Sequence, residues 1–288
     1  MGRWLHALLR AFALLLLCAA SFASASAQGD AKRGEYLAKA GGCVGCHTED
    51  RSDAVRFAGG RAIKTSFGTF FGPNITPHPD TGIGRWTEAD FVRAMRSGVR
   101  PDGSRYYPVF PYPSYTQITD SDLRDLWAYL RSLPPVGRTN REHELRFPYG
   151  WRFLNRIWNW LFFTPGPFVP DSRWPEPASR GAYLVNALGH CGECHTPRNF
   201  LGGAKRGRFL AGRKGMPNLT PTGIGKWSDE DLKQFFLTGV TPDGDATAVE
   251  MDEVVRNTTS QFMPGDLAAM IAYLRSLPPL PDEPKVRQ

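Results

Sequence analysis

"GGCVGCHTED" occupies residues 41–50 and "GHCGECHTPR" residues 189–198. Each carries the spacing C-x-x-C-H, with Cys43, Cys46 and His47 in the first copy and Cys191, Cys194 and His195 in the second. A c-type haem needs two thiols that add across its vinyl groups and a histidine next in sequence that reaches the iron. This spacing supplies all three within about one helical turn. Three other readings compete. Two C-x-x-C pairs can hold one zinc, but these are 145 residues apart and such a site would use neither histidine. A thioredoxin-type dithiol needs a βαβ setting that the flanking sequence lacks. A plain disulfide in an oxidising compartment leaves the repeated histidine without a role. Two covalently bound haem c groups are the expectation. Cys43, Cys46, Cys191 and Cys194 would be the attachment points, and His47 and His195 the proximal iron ligands.

Working outward, the two copies sit inside a longer repeat. "GEYLAKAGGCVGCHT" (34–48) matches "GAYLVNALGHCGECHT" (181–196) with one residue fewer. "PNITPHPDTGIGRWTEADF" (73–91) matches "PNLTPTGIGKWSDEDL" (217–232), "SGVRPDG" (97–103) matches "TGVTPDG" (238–244), and "AYLRSLPP" occurs at 128–135 and 272–279. A period above a hundred residues is a duplicated domain rather than a solenoid. Amphipathic patterns predict a helix before each C-x-x-C-H. Thr87 with Asp90, and Ser228 with Asp231, resemble capping boxes that start the next helix. In "SDLRDLWAYLRSL", Leu123, Leu126, Trp127 and Leu130 share one face, and Pro134 and Pro135 stop the helix. No period-2 runs stand out. The expected fold is all-α: two tandem cytochrome c-like domains over residues 28–137 and 179–288, joined by an aromatic linker at 138–178.

The ends and the composition narrow the setting. Arg3 and Arg10, the apolar core "AFALLLLCAA" (11–20) and "ASA" (25–27) read as a secretory signal peptide over residues 1–27, too short in its core to cross a bilayer. Cys18 falls inside it, which leaves four cysteines for the mature chain. The net charge of +7 becomes +5 without Arg3 and Arg10, a mildly basic surface suited to an acidic partner or anionic lipid. No basic run suggests nucleic acid. In the linker, Trp151, Phe153, Trp158, Trp160, Leu161 and Phe162 either pack between the domains or form an interfacial patch beside Arg152 and Arg156.

The stretches "RGAYLVNALGHCGECHTPRN", "GIGKWSDEDL" and "YPVFPYPSYT" give the chain its resemblance to a known family. It is similar to the dihaem or multihaem cytochrome c subunits of periplasmic, membrane-associated bacterial dehydrogenases, of the alcohol, gluconate, aldehyde and isoquinoline-oxidoreductase types. The likeness covers nearly all of the mature chain. Relatives often carry three haems, whereas this sequence has two C-x-x-C-H motifs. The resemblance implies a periplasmic electron carrier that can associate with the inner membrane, rather than an enzyme. Its donor would be a molybdenum- or flavin-containing dehydrogenase subunit, and its acceptor a quinone, an oxidase or another cytochrome.

The sixth iron ligand is the harder question. Trp86, Gly98 and Gly103 pair with Trp227, Gly239 and Gly244 at a constant offset of 141, which pairs Phe110 with Met251. In the resembling family this loop position holds the distal methionine, so Met251 is expected to ligate haem 2. Phe110 cannot ligate iron. The same offset pairs Met95 with Phe236, so methionine and phenylalanine have changed places. Either the exchange is volume-conserving packing, or Met95 reaches the iron of haem 1 from a helix. His78, in an insertion of the first unit, is a further candidate. Met216, His190 and His143 are weaker: Met216 precedes the helix, His190 packs beside its attachment turn, and His143 lies in a solvated linker. An open first iron would instead suit a dihaem enzyme, of a thiosulfate dehydrogenase-like or peroxidase-like kind. No G-x-S-x-G, H-E-x-x-H or Gly-rich cofactor loop supports side-chain catalysis.

Overall fold

The computed structural model describes residues 29–282. The leader read over residues 1–27 lies outside the described residues.

Helix α1 (Ala31–Ala40) begins where the Asp30 carboxylate accepts from the Lys32 and Arg33 amides. It ends at Gly41 and Gly42, whose φ of 62° suits a residue without a Cβ. The attachment turn α2 (Cys43–His47) follows. After a hairpin, α3 (Glu88–Ser97) starts on the reciprocal Thr87–Asp90 capping box and stops at Gly98, as the sequence predicts. A short α4 (Tyr112–Tyr115) precedes α5 (Asp120–Ser132), which ends before Pro134. Leu123, Leu126 and Leu130 of α5 are buried, and Trp127 stacks on Phe91 of α3 at 5.4 Å.

The second unit repeats this plan. Helix α7 (Ala178–Tyr183) runs into a π-helical turn, Leu184–Leu188. The extra residue between Tyr183 and Cys191, absent between Tyr36 and Cys43, is taken up there and at His190, which adopts φ 39°. Then come the attachment turn α8 (Gly192–His195), a short α9 (Pro221–Ile224), α10 (Asp229–Thr238) on the Ser228–Asp231 capping box, α11 (Val249–Asn257) and α12 (Pro264–Ser276).

In each unit the first and last helices cross at a glycine. A Cβ on Gly34 would lie 1.9 Å from the Asp125 carbonyl oxygen, and one on Gly181 would lie 1.9 Å from that of Ala269. A tyrosine flanks each crossing, Tyr129 in α5 and Tyr273 in α12. Only glycine lets the two backbones approach this closely.

The chain is mostly helical, but β1 (Ala62–Thr65) and β2 (Gly68–Phe71) form an antiparallel hairpin, with Ala62 opposite Phe71 and Thr65 opposite Gly68. A third strand, β3 (Glu144–Leu145), pairs with β2. Gly68 sits at φ 127°, where a Cβ would lie 2.3 Å from the Glu144 carbonyl oxygen. The strands are too short for alternation to stand out in the sequence.

The linker is more than a connector. Besides pairing with the hairpin through β3, it forms α6 (Leu154–Phe162), whose inward side chains are Asn155 and Asn159. The Tyr112 hydroxyl of the first unit donates to Asn159 Oδ1 at 2.6 Å, while Trp158 Nε1 donates to the Leu201 carbonyl of the second at 3.1 Å. Trp151, Phe153, Trp160 and Leu161 are exposed rather than packed between the units, with Trp160 at 83%. Buried polar and exposed apolar residues make α6 an inverted amphipathic helix. His143 is half-buried rather than free in solvent: its ring lies 5.3 Å from that of Phe70, and Nδ1 accepts from the Phe71 amide.

Candidate haem-binding sites

Each attachment turn places two thiols and a histidine on one short helical stretch. His47 Nδ1 lies 2.8 Å from the Pro73 carbonyl oxygen, and His195 Nδ1 lies 2.7 Å from that of Pro217. With Nδ1 donating to a carbonyl, the ring is fixed as the tautomer whose Nε2 lone pair is free for iron. Burial lowers the pKa of both imidazoles, and the carbonyl bond only partly offsets this, which favours the neutral form that iron ligation uses.

The prolines belong to the matched motifs "PNITP" and "PNLTP". The Asn74 side chain accepts from the Thr76 amide and hydroxyl and donates to the Val136 carbonyl at 2.7 Å. Asn218 does the same with Thr220 and with the Leu280 carbonyl at 2.8 Å. Each loop is thus pinned to the chain just beyond the last helix, and the proline carbonyl is held rigidly under its histidine. The sequence displayed this motif twice without disclosing its role.

The donor set fits covalent haem and suits the competing chemistries poorly. Among the described residues the four cysteines, Cys43, Cys46, Cys191 and Cys194, form no disulfide. Burial pushes the Cys43 and Cys191 thiols up to about 12, the reverse of what a reactive dithiol needs. Among the described residues no cluster of three or more His, Cys, Asp or Glu side chains could hold a metal ion such as zinc.

The distal candidates separate into two kinds of position. Met95 on α3 and Phe236 on α10 are equally buried, 6% and 5% exposed, and both belong to the core. Phe110 and Met251 are both half-buried and packed against that core. Phe110 rests among the rings of Tyr106, Tyr112 and Tyr115. The loop carrying His78 supplies Pro73 to His47, so it belongs to the proximal side. His78 Nδ1 accepts from Thr81 there, and its Nε2 faces Gly137. Met216 precedes Pro217 on the equivalent loop of the second unit. His190 packs on the Tyr115 ring at 5.5 Å.

Each attachment turn lies against the other unit's distal segment. The Ser114 hydroxyl of the first distal segment donates to Glu193 Oε1 on the second attachment turn at 2.9 Å. Reciprocally, a Cβ on Gly45 of the first attachment turn would lie 3.1 Å from Glu253 Oε1 on α11, the helix of Met251. The helices beside them exchange tyrosines. Tyr183 of α7 donates to Asp122 of α5, and Tyr36 of α1 donates to Asp266 of α12, each at 2.6 Å. The same carboxylates pair within their own units, Asp122 with Arg33 and Asp266 with Arg180.

The cytochrome c family matches residues 31–134. The chain is 45% identical over 259 residues to a dihaem cytochrome c-type protein of Cereibacter sphaeroides, covering 87% of this chain and 86% of that protein. It is 40% identical to the fructose dehydrogenase cytochrome subunit of Gluconobacter japonicus, over 85% of this chain and 52% of that protein. It is 38% identical to the cytochrome c subunit of the quinone alcohol dehydrogenase of Gluconobacter oxydans, over 92% of this chain and 59% of that protein. The chain spans about half the length of these two dehydrogenase subunits. Nearly the whole length of the Cereibacter relative is matched, and both attachment motifs sit in equivalent, carbonyl-braced geometry: the chain belongs to the dihaem c-type cytochromes, electron-transfer proteins with two covalently attached haem c groups.

Proposed function

We propose that this protein is a periplasmic carrier that accepts electrons from a partner dehydrogenase and passes them between its two haems to the respiratory chain. The observation that carries this reading is the reciprocal packing of each attachment turn on the other unit's distal segment. Haem supplies the one-electron couple, and the chain's residues hold each attachment turn against the distal segment of the other unit. The fructose and alcohol dehydrogenase cytochrome subunits among its relatives support a dehydrogenase partner. On this reading the partner carries molybdenum or flavin, and a quinone, oxidase or second cytochrome takes the electrons on. The units run over residues 28–137 and 179–288.

Met251 is the sixth ligand of haem 2, supported by its half-buried place on the distal segment against the core. Met95 is the sixth ligand of haem 1: it is the only methionine between residues 28 and 137, and it is buried on the inward face of α3. Methionine at both irons favours relatively high potentials. The exposed face of α6, with Trp151, Phe153, Ile157, Trp160 and Leu161 beside Arg152 and Arg156, rests on the surface of the inner membrane. Among the described residues no helix is long and apolar enough to cross a membrane.

Electron paramagnetic resonance of the oxidised holoprotein tests the ligand assignment. Two low-spin signals are expected, with Met251→Ala and Met95→Ala each converting one of them to high spin. A high-spin iron in the unaltered protein would leave haem 1 open and move the reading toward ligand binding or catalysis there.

A further inference from the structure

Helix α11 has few anchors in its own unit. Its N-cap, Ala248, offers no side-chain hydrogen bond, and Val255 is its only buried residue. Its polar anchorage comes from the first unit. Glu253 Oε2 accepts from Arg61 Nη2 at 2.6 Å, in an ion pair whose side chains are about three-quarters buried. Among the described residues this is the only ion pair α11 makes outside itself. The other carboxylate oxygen faces Gly45, where a Cβ would lie 3.1 Å away, with Asn257 Nδ2 close by. Just past the helix, the Thr258 hydroxyl sits over Gly42, 2.9 Å from where a Cβ would stand. The first attachment turn is therefore a glycine-lined seat for α11.

Met251 and Glu253 are two residues apart, so they project from roughly opposite sides of the helix, Met251 toward the core of its own unit. We infer that Arg61 and Glu253 are positioning residues for the sixth ligand of haem 2: the first unit holds in place the methionine that completes the iron of the second. The inference rests on Met251 being that ligand. It makes the ligation of one haem depend on a contact with the attachment turn of the other.

The test uses the intact dihaem protein. Imidazole is mixed with the oxidised form, and the decay of the methionine–iron charge-transfer absorbance that Met251→Ala removes is followed in time. Imidazole enters only when α11 releases Met251, so the rate reports how firmly the helix is held. Arg61→Ala and Glu253→Gln are expected to raise the rate about fivefold, which corresponds to about 1 kcal/mol. The double exchange Arg61→Glu with Glu253→Arg should bring it back toward the unaltered value. Two haems per chain and an unchanged melting profile would show that the fold is intact. If both single variants leave the rate and the haem 2 potential unchanged while Met251→Ala abolishes the band, the positioning role is overturned and the ligand assignment stands. If Met251→Ala leaves haem 2 unaltered, the ligand assignment itself falls.

Discussion

The two units agree on the proximal side of the haem and disagree on the distal side. Proximally, the histidine, its proline carbonyl, the asparagine that pins the loop and the glycine at the helix crossing recur almost atom for atom. Distally, methionine and phenylalanine have traded places. Fixing a histidine tautomer leaves little geometric freedom, because ring, carbonyl and iron must line up. A thioether on a flexible stem can be offered from a helix or from a loop. A duplicated cytochrome can therefore vary its sixth ligand while its fifth stays put.

That comparison can be broken most sharply at the helix crossings. Gly34→Ala and Gly181→Ala each force a Cβ onto a carbonyl oxygen at 1.9 Å, and each should cost about 3 kcal/mol in thermal melts. Equal losses would confirm that the crossings are equivalent; a tolerated alanine in one unit would show that its helices can slide apart.

The exchanged tyrosines sharpen the comparison, since they should not be equivalent. Asp122 is nearly inaccessible, whereas Asp266 retains some exposure. Tyr183→Phe should cost about 3 kcal/mol and Tyr36→Phe about 1.5 kcal/mol, the upper and lower ends for hydrogen bonds to a charged group, measured by denaturant unfolding. The reverse order would mean that burial does not set the difference.

The smallest effect is one of pH. Burial alone would raise the Asp266 pKa, but the hydrogen bonds from Arg180 and Tyr36 outweigh it and hold the value below the ordinary 3.8. A depressed carboxyl stabilises the fold above its unfolded pKa and loses that contribution as pH falls through the folded one. The stability gap between the unaltered protein and Asp266→Asn should therefore be constant from pH 7 to about 5 and shrink below about 4. A gap that persisted undiminished to pH 2 would assign it to packing instead.

Much of this was legible in the sequence. The attachment motifs, the duplication and both capping boxes need only local spacing, and the structure bears out the capping boxes residue for residue. The hairpin was not legible, because four-residue strands joined across Ser66 and Phe67 hold too few alternations to register. Helix α6 was visible as an aromatic stretch, but its inward face is asparagine; the Tyr112 hydroxyl accounts for Asn159, and nothing in the structure explains Asn155. The roles of Pro73 and Pro217 were hidden for a similar reason. A carbonyl has no sequence signature, and only the repetition of "PN" followed by "TP" hinted that the position mattered.

The exchange of Tyr36 and Tyr183 bears on how this molecule can be taken apart. In a separated first unit Asp122 would keep Arg33 but lose the hydroxyl that now covers it. A separated second unit would do the same to Asp266. The attachment turns would also lose the surfaces that flank them. Cleaving the chain in the segment between α6 and α7 would therefore nick the protein without yielding two free monohaem cytochromes. Redox behaviour measured on an isolated half would describe a surface that the whole molecule never shows to solvent.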